Sequence, residues 1–253
     1  MTNEVVGKNN ITNTPENSSL ESGRLGVTPR ARLFEVCVFV LLILPSLILS
    51  FFATSPTPVK SFAGGVVSII MQDIGLLGLV VVLVWRDGES VHDLGWNIKN
   101  HRRDLALGVF LWVAALFLMT AIQNVLDALS VSGAPHTLPS SLTPKSTIDF
   151  YLAGILVFVV AVAEETVFRG YLLLRFKQVT KSTLTALILS STIFATGHGY
   201  EGIASVFIIG MFGFGLGLVY LWRKSLVAPV VIHFMQDFLG LVIIPFMNTR
   251  SAG

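Results

Sequence analysis

Residues 151–170 read YLAGILVFVVAVAEETVFRG, and this stretch decides what kind of protein the chain is. Its first twelve residues carry no charge, yet they lead straight into Glu164, Glu165 and Arg169. An ionisable group inside a bilayer-spanning segment costs on the order of a few kcal/mol, so such groups mark functional sites by default. On a helix, Glu165 and Arg169 are four residues apart and share a face, which suits an ion pair. Glu164 then points about 100° away from Glu165. One glutamate is neutralised by its own helix; the other is left for chemistry.

The rest of the composition agrees with a membrane setting. Of 253 residues, 53% are hydrophobic and only 13% charged, where a soluble domain is nearer a quarter charged. The mean hydropathy is +0.75. The net charge of +2 is small and its bases are scattered, which does not indicate nucleic-acid binding. Cys37 is the only cysteine and lies in an apolar run, so an internal disulfide is impossible and a cationic setting for thiol chemistry is missing. Residues 1–30 are polar and rich in Asn, Thr, Ser and Gly, without the layout of a cleavable signal peptide. They read as a disordered cytoplasmic tail. The N-x-[ST] triplets at Asn10 and Asn17 carry no weight in that location.

A transmembrane helix needs about 20 mostly apolar residues. Runs of that kind begin near Leu33, Ala63, Leu105, Ile148, Ser182, Gly202 and Leu226, the fifth being short and ending in His198. The expected fold is therefore all-α: a polytopic membrane bundle of about seven helices, forming one domain over residues 31–250. With the N-terminus in the cytoplasm, twelve Lys and Arg flank the spans on that side and three (Lys60, Lys145 and Arg250) on the other. That alternation follows the positive-inside rule at every crossing. Gly213 and Gly217 form a GxxxG pair, which reads as close helix packing or as a groove lined by glycine backbone. The loop before the fourth span holds three prolines and His136, and could serve as part of a lid.

Polar residues recur at matching depths. With a rise of about 1.5 Å per residue, Glu164 lies ~18 Å from the cytoplasmic end of its helix, His198 ~24 Å and His233 ~12 Å. Asp237 is one turn beyond His233 on the same face. All four fall around the middle of a core about 30 Å thick, on the fourth, fifth and seventh helices. A lone membrane histidine is as often a packing residue as a functional one. Asp73, in the second span, is a further unpaired carboxylate that could pair with Arg169 or another helix, or belong to an ion path.

Three motifs appear in order on these spans. Glu164-Glu165-Thr-Val-Phe-Arg169 fits EExxxR, Phe194-Ala-Thr-Gly-His198 fits FxxxH, and His233-Phe-Met-Gln-Asp237 fits Hxxx(N/D). Together they resemble the CPBP family of CAAX prenyl proteases and bacteriocin-processing or Abi membrane proteins, over about residues 148–246. The resemblance implies an intramembrane endopeptidase of a bacterial plasma membrane, acting on a membrane-associated protein or peptide and needing no cofactor. It implies Glu164 as the base that activates water and His198 as the residue that helps hold that water. His233 and Asp237 would stabilise the oxyanion, with Glu165 and Arg169 supporting the site. The prenyl proteases typically carry Asn where this chain has Asp237. An ionised aspartate would repel an oxyanion, so Asp237 must be protonated, or must orient His233 and keep it cationic.

Other readings remain open at this point. Glu164, His198 and His233 could ligate zinc with water in the fourth position, although neither an HExxH motif nor an i,i+4 histidine pair is present. A non-catalytic scaffold or immunity protein of the Abi type would tolerate loss of Glu164. A transporter would show internal repeats with broken helices, and none is visible.

Overall fold

The computed structural model describes residues 28–52, 61–130 and 142–251. The polar tail up to residue 27, with Asn10 and Asn17, lies outside them, as do Lys60 and His136. The described residues are helical without a strand and form seven rods. In order these are α1 (Pro29–Ser50), α2 (Phe62–Arg86), α3 (His101–Ala128) and α4 (Thr147–Glu164). A π-helical segment, Glu165–Leu172, and α5 (Leu173–Thr180) continue α4 without a break. Then come α6 (Thr183–Thr196), α7 (Ile203–Arg223) and α8 (Val227–Phe238), the last running through a second π-helical segment, Leu239–Ile243, into α9 (Ile244–Ser251).

Six rods are long and apolar enough to cross a membrane, and α6, with 14 residues, is the short one. At about 1.5 Å per residue α6 reaches only ~21 Å, less than a hydrocarbon core of about 30 Å. The chain is a multi-pass membrane protein. Its outward faces agree: Phe110, Phe117, Ile203 and Trp222 are all exposed. Large apolar surface of this kind would promote aggregation in water, whereas hydrocarbon solvates it.

Local chemistry starts and stops the rods where the chain must turn. Thr28 accepts a hydrogen bond from the Ala31 amide and Pro29 opens α1, both favoured at a helix start. Ser146 and Asp149 form a reciprocal capping box at α4. Ser182 caps α6 through the Thr185 amide. Lys181 and Lys224, both left-handed, end α5 and α7. The core gathers around the π segment. Tyr171, Leu172 and Leu173 are fully buried there, and α1 packs on them through Phe39, whose ring centroid lies 4.9 Å from that of Tyr171.

One end of the bundle is closed by charge. The Glu35 carboxylate accepts hydrogen bonds from Arg32 (3.0 Å), Arg86 (2.6 Å), Arg175 (3.0 Å) and the Tyr171 hydroxyl (2.6 Å). Asp87 pairs with Arg32 and Arg86, and Glu89 receives Arg175 at 2.7 Å. Three arginines and three carboxylates from α1, the end of α2 and α5 form one near-neutral network. In sequence these residues are only scattered flanking charges; their pairing spans up to 140 positions.

Candidate active site

The π segment starts at Glu165, immediately after Glu164. π-helical turns are rare and concentrate at functional sites. Glu165 is fully buried and one of its oxygens, Oε1, serves two donors. Arg169 Nη1 lies 2.5 Å away and His233 Nδ1 2.8 Å away. Arg169 is buried as well; its Nη2 donates to the Gly213 carbonyl at 3.2 Å, and its guanidinium sits 4.3 Å from the Phe194 ring centroid. A Cβ on Gly213 would stand 2.9 Å from both Arg169 Nη2 and Phe194. Glycine in α7 is therefore what admits the guanidinium. Of the two readings of the glycine pair, close packing describes Gly213, and Gly217 packs equally tightly on Leu187.

Glu165 also fixes the imidazole of His233. With Nδ1–H donated to Glu165, the opposite nitrogen Nε2 faces the site. A carboxylate bound to one ring nitrogen in this way sets both the tautomer and the orientation of the ring. Nε2 lies 3.4 Å from Asp237 Oδ2 and 3.6 Å from Glu164 Oε2. Glu164 has turned away from the Glu165–Arg169 pair, and its buried Oε2 has no hydrogen-bond partner. His198 follows α6 at Thr196 and points its Nδ1 at the Phe194 carbonyl, 3.3 Å away. The Phe194 ring touches both imidazoles, with centroids 5.2 Å from His198 and 5.7 Å from His233.

The structure thus brings Glu164, Glu165, Arg169, His233 and Asp237 into one contact network, and joins His198 to it through Phe194. Three features were not read from the sequence. Phe194 connects the cation and both histidines; its place as the first residue of FxxxH was the available signal. Glu165 holds His233 as well as Arg169, a contact across 68 positions. Asp73 faces Glu164 rather than Arg169: the two line one small cavity with Ser46 and Gln72.

The site can polarise a water molecule and stabilise charge of either sign, because an unpaired carboxylate adjoins an oriented imidazole in hydrocarbon surroundings. Among the described residues no group of three or more His, Cys, Asp or Glu side chains could hold a metal ion.

The fold and the site define a multi-pass helical membrane protein with a buried glutamate–histidine cluster. Residues 146–239 match the family described as Type II CAAX prenyl endopeptidase Rce1-like. That segment holds all three motifs, and over it the chain is similar to that family. Searches of curated proteins and of solved structures find no match.

Proposed function

We propose that the protein is an intramembrane endopeptidase in which Glu164 is the general base for water attack on a peptide bond. The observation that carries this reading is the buried, unpartnered Oε2 of Glu164 facing His233 Nε2. Glu164 takes a proton from water, and the hydroxide adds to the carbonyl carbon. The developing oxyanion meets the proton on His233 Nε2. The C–N bond then breaks and Glu164 returns its proton to the leaving amine. A preorganised donor at the developing oxyanion contributes a large part of such catalysis.

Asp237 fits the second of its two expected roles. It lies against His233 Nε2, where an ionised carboxylate keeps the imidazole cationic rather than contacting the oxyanion itself. His198 helps hold the attacking water. Glu165 and Arg169 act through His233, by fixing its ring. In this reading the step needs no metal. In this reading the N-terminus faces the cytoplasm of a bacterial cell, and the arginines gathered at that end of the bundle support the orientation.

The test compares cells carrying wild-type protein with cells carrying Glu164→Gln, by sequencing the N-termini of membrane and secreted proteins. New termini that depend on Glu164 and persist when purified enzyme is treated with a chelator support the reading. A phenotype retained in full by Glu164→Gln identifies a scaffold instead. A panel of prenylated and unprenylated peptides in proteoliposomes then decides the substrate class.

A further inference from the structure

Asp73 has no role in the chemistry above, yet it lies within it. It sits in the middle of α2, nine-tenths buried, and its Oδ2 has no hydrogen-bond partner. Together with Glu164 it lines a cavity in which about 60 Å³ is open to the centre of a water molecule. One water needs about 10–15 Å³ by that measure, so several fit. Its other walls include Ile43, Leu47 and Leu76, and apolar walls strengthen any interaction between the two acids.

Counting charges shows why one acid must stay neutral. Asp73, Glu164, Glu165 and Asp237 are four carboxylates. Against them stand one permanent cation, Arg169, and two imidazoles, His198 and His233. Tyr200, stacked on His198, adds no positive charge. Arg169 is bound to Glu165, and His233 lies between Glu164, Glu165 and Asp237. Even with both imidazoles protonated, four negative charges face three positive ones. Two carboxylates sharing a poorly solvated site do not both ionise. The acid with no cation in contact is Asp73.

We propose that Asp73 and Glu164 form a water-linked carboxyl pair across this cavity, in which Asp73 holds the proton that leaves Glu164 anionic. Asp73 is a positioning residue. It rests on the reading of Glu164 as the base, and its proton is not consumed. In each turnover the water proton passes to Glu164 and then to the leaving amine, while Asp73 keeps its own.

The experiment is infrared spectroscopy of purified, resting protein in lipid nanodiscs at neutral pH, unlabelled and with [4-¹³C]aspartate. The expected result is a protonated carboxyl C=O band that shifts with the aspartate label and disappears in Asp73→Asn. Absence of the band, its failure to shift with the label, or its survival in Asp73→Asn overturns the proposal. None of these readouts needs a substrate, so they stand even if the enzyme reading fails. The isotope shift is read on wild-type protein and does not depend on a variant folding. Given a cleavable substrate, Asp73→Leu, which removes the donor that steadies anionic Glu164, should move the acid limb of the kcat profile to higher pH by about one unit. A kcat lowered equally at every pH marks Asp73 as merely structural and also overturns the proposal.

Discussion

Replacing Arg169 with Met is the most direct test of how the site is held together. The change removes a charge-assisted hydrogen bond to Glu165 at 2.5 Å, a donor to the Gly213 carbonyl at 3.2 Å and a cation over Phe194 at 4.3 Å. Hydrogen bonds to charged groups contribute about 1.5–3 kcal/mol, and a desolvated cation–π contact about 2 kcal/mol. Glu165 keeps the Nδ1–H of His233, so it is not left bare, but its Oε2 already lacks a partner. The expected loss is about 3–5 kcal/mol, the usual cost of removing one member of a buried pair. For a chain of this size, 1 kcal/mol moves the midpoint by about 2–4 °C. The melting temperature in detergent, followed by tryptophan fluorescence, should therefore fall by about 6–20 °C. The double variant Glu165→Gln/Arg169→Met should recover most of that, because removing both charges leaves no unpaired ion. The amide oxygen that Glu165→Gln introduces can still accept from His233. A single variant that melts with the wild type, or a double variant as unstable as the single, would refute the reasoning.

Gly213→Ala should be destabilised by about 1–3 kcal/mol, as expected for overpacking, and should lose activity with the displaced guanidinium. Gly215→Ala, with open space around its Cβ, should match the wild type in the same melts. Ser190→Ala takes one of two donors, at 2.7 Å, from the Phe168 carbonyl, which keeps the Leu173 amide, and should cost about 0.5–1.5 kcal/mol, again read by melting. At the closed end of the bundle, burial alone would raise the Asp87 carboxyl, but hydrogen bonds from Arg32 and Arg86 outweigh it and hold the group below its ordinary value. A depressed folded-state value gives stability that is present above the unfolded pKa, about 3.9 for Asp. It is lost as pH falls through the lower folded value. Acid melts should show that loss from about pH 4 downward, and Asp87→Asn should show less of it while being less stable at neutral pH. An identical acid response in both proteins would remove Asp87 from the account.

The membrane rods were legible because hydrocarbon demands long apolar runs, and nothing else in a chain looks like 25 residues from Phe62 to Arg86 with a single charge before the end. The Glu165–Arg169 contact was legible for a similar reason: a spacing of four residues is a local rule. Contacts between rods were not. Nothing near Glu35 in the sequence points to Tyr171 or Arg175, and nothing near Glu165 points to His233, because each partner is chosen by how the rods pack. Asp73 shows the limit most clearly. Its place in mid-span marked it as costly, but whether it met Arg169 or Glu164 depended on the rotation of α2 against α4. The π segment left no signal either, since ETVFRGYL reads as an ordinary helix.

That π segment explains how the backbone can be irregular at the depth of the carboxylates. Inside a bilayer an unsatisfied carbonyl cannot turn to water, so deviation from α geometry is tolerated only where other donors replace the missing bonds. Two hydroxyls add donors here, beside the backbone amides of Glu165 and Leu173 that reach the same carbonyls. Thr166 Oγ1 donates to the Val162 carbonyl at 2.6 Å, and Ser190 Oγ donates to the Phe168 carbonyl at 2.7 Å. Thr166 is in turn held by the indole of Trp96, which reaches it at 3.2 Å from the loop before α3. The two carboxylates therefore part at a place where the helix changes type and its backbone remains bonded. Glu165 turns into the packed interior toward Arg169 and His233, and Glu164 is left at the cavity with an oxygen unclaimed. A regular α-helix would already separate adjacent side chains by about 100°. The hydroxyl-supported π turn lets Glu165 bond Arg169 on its own rod and His233 on α8, so the neighbour of the free carboxylate also sets the imidazole it faces.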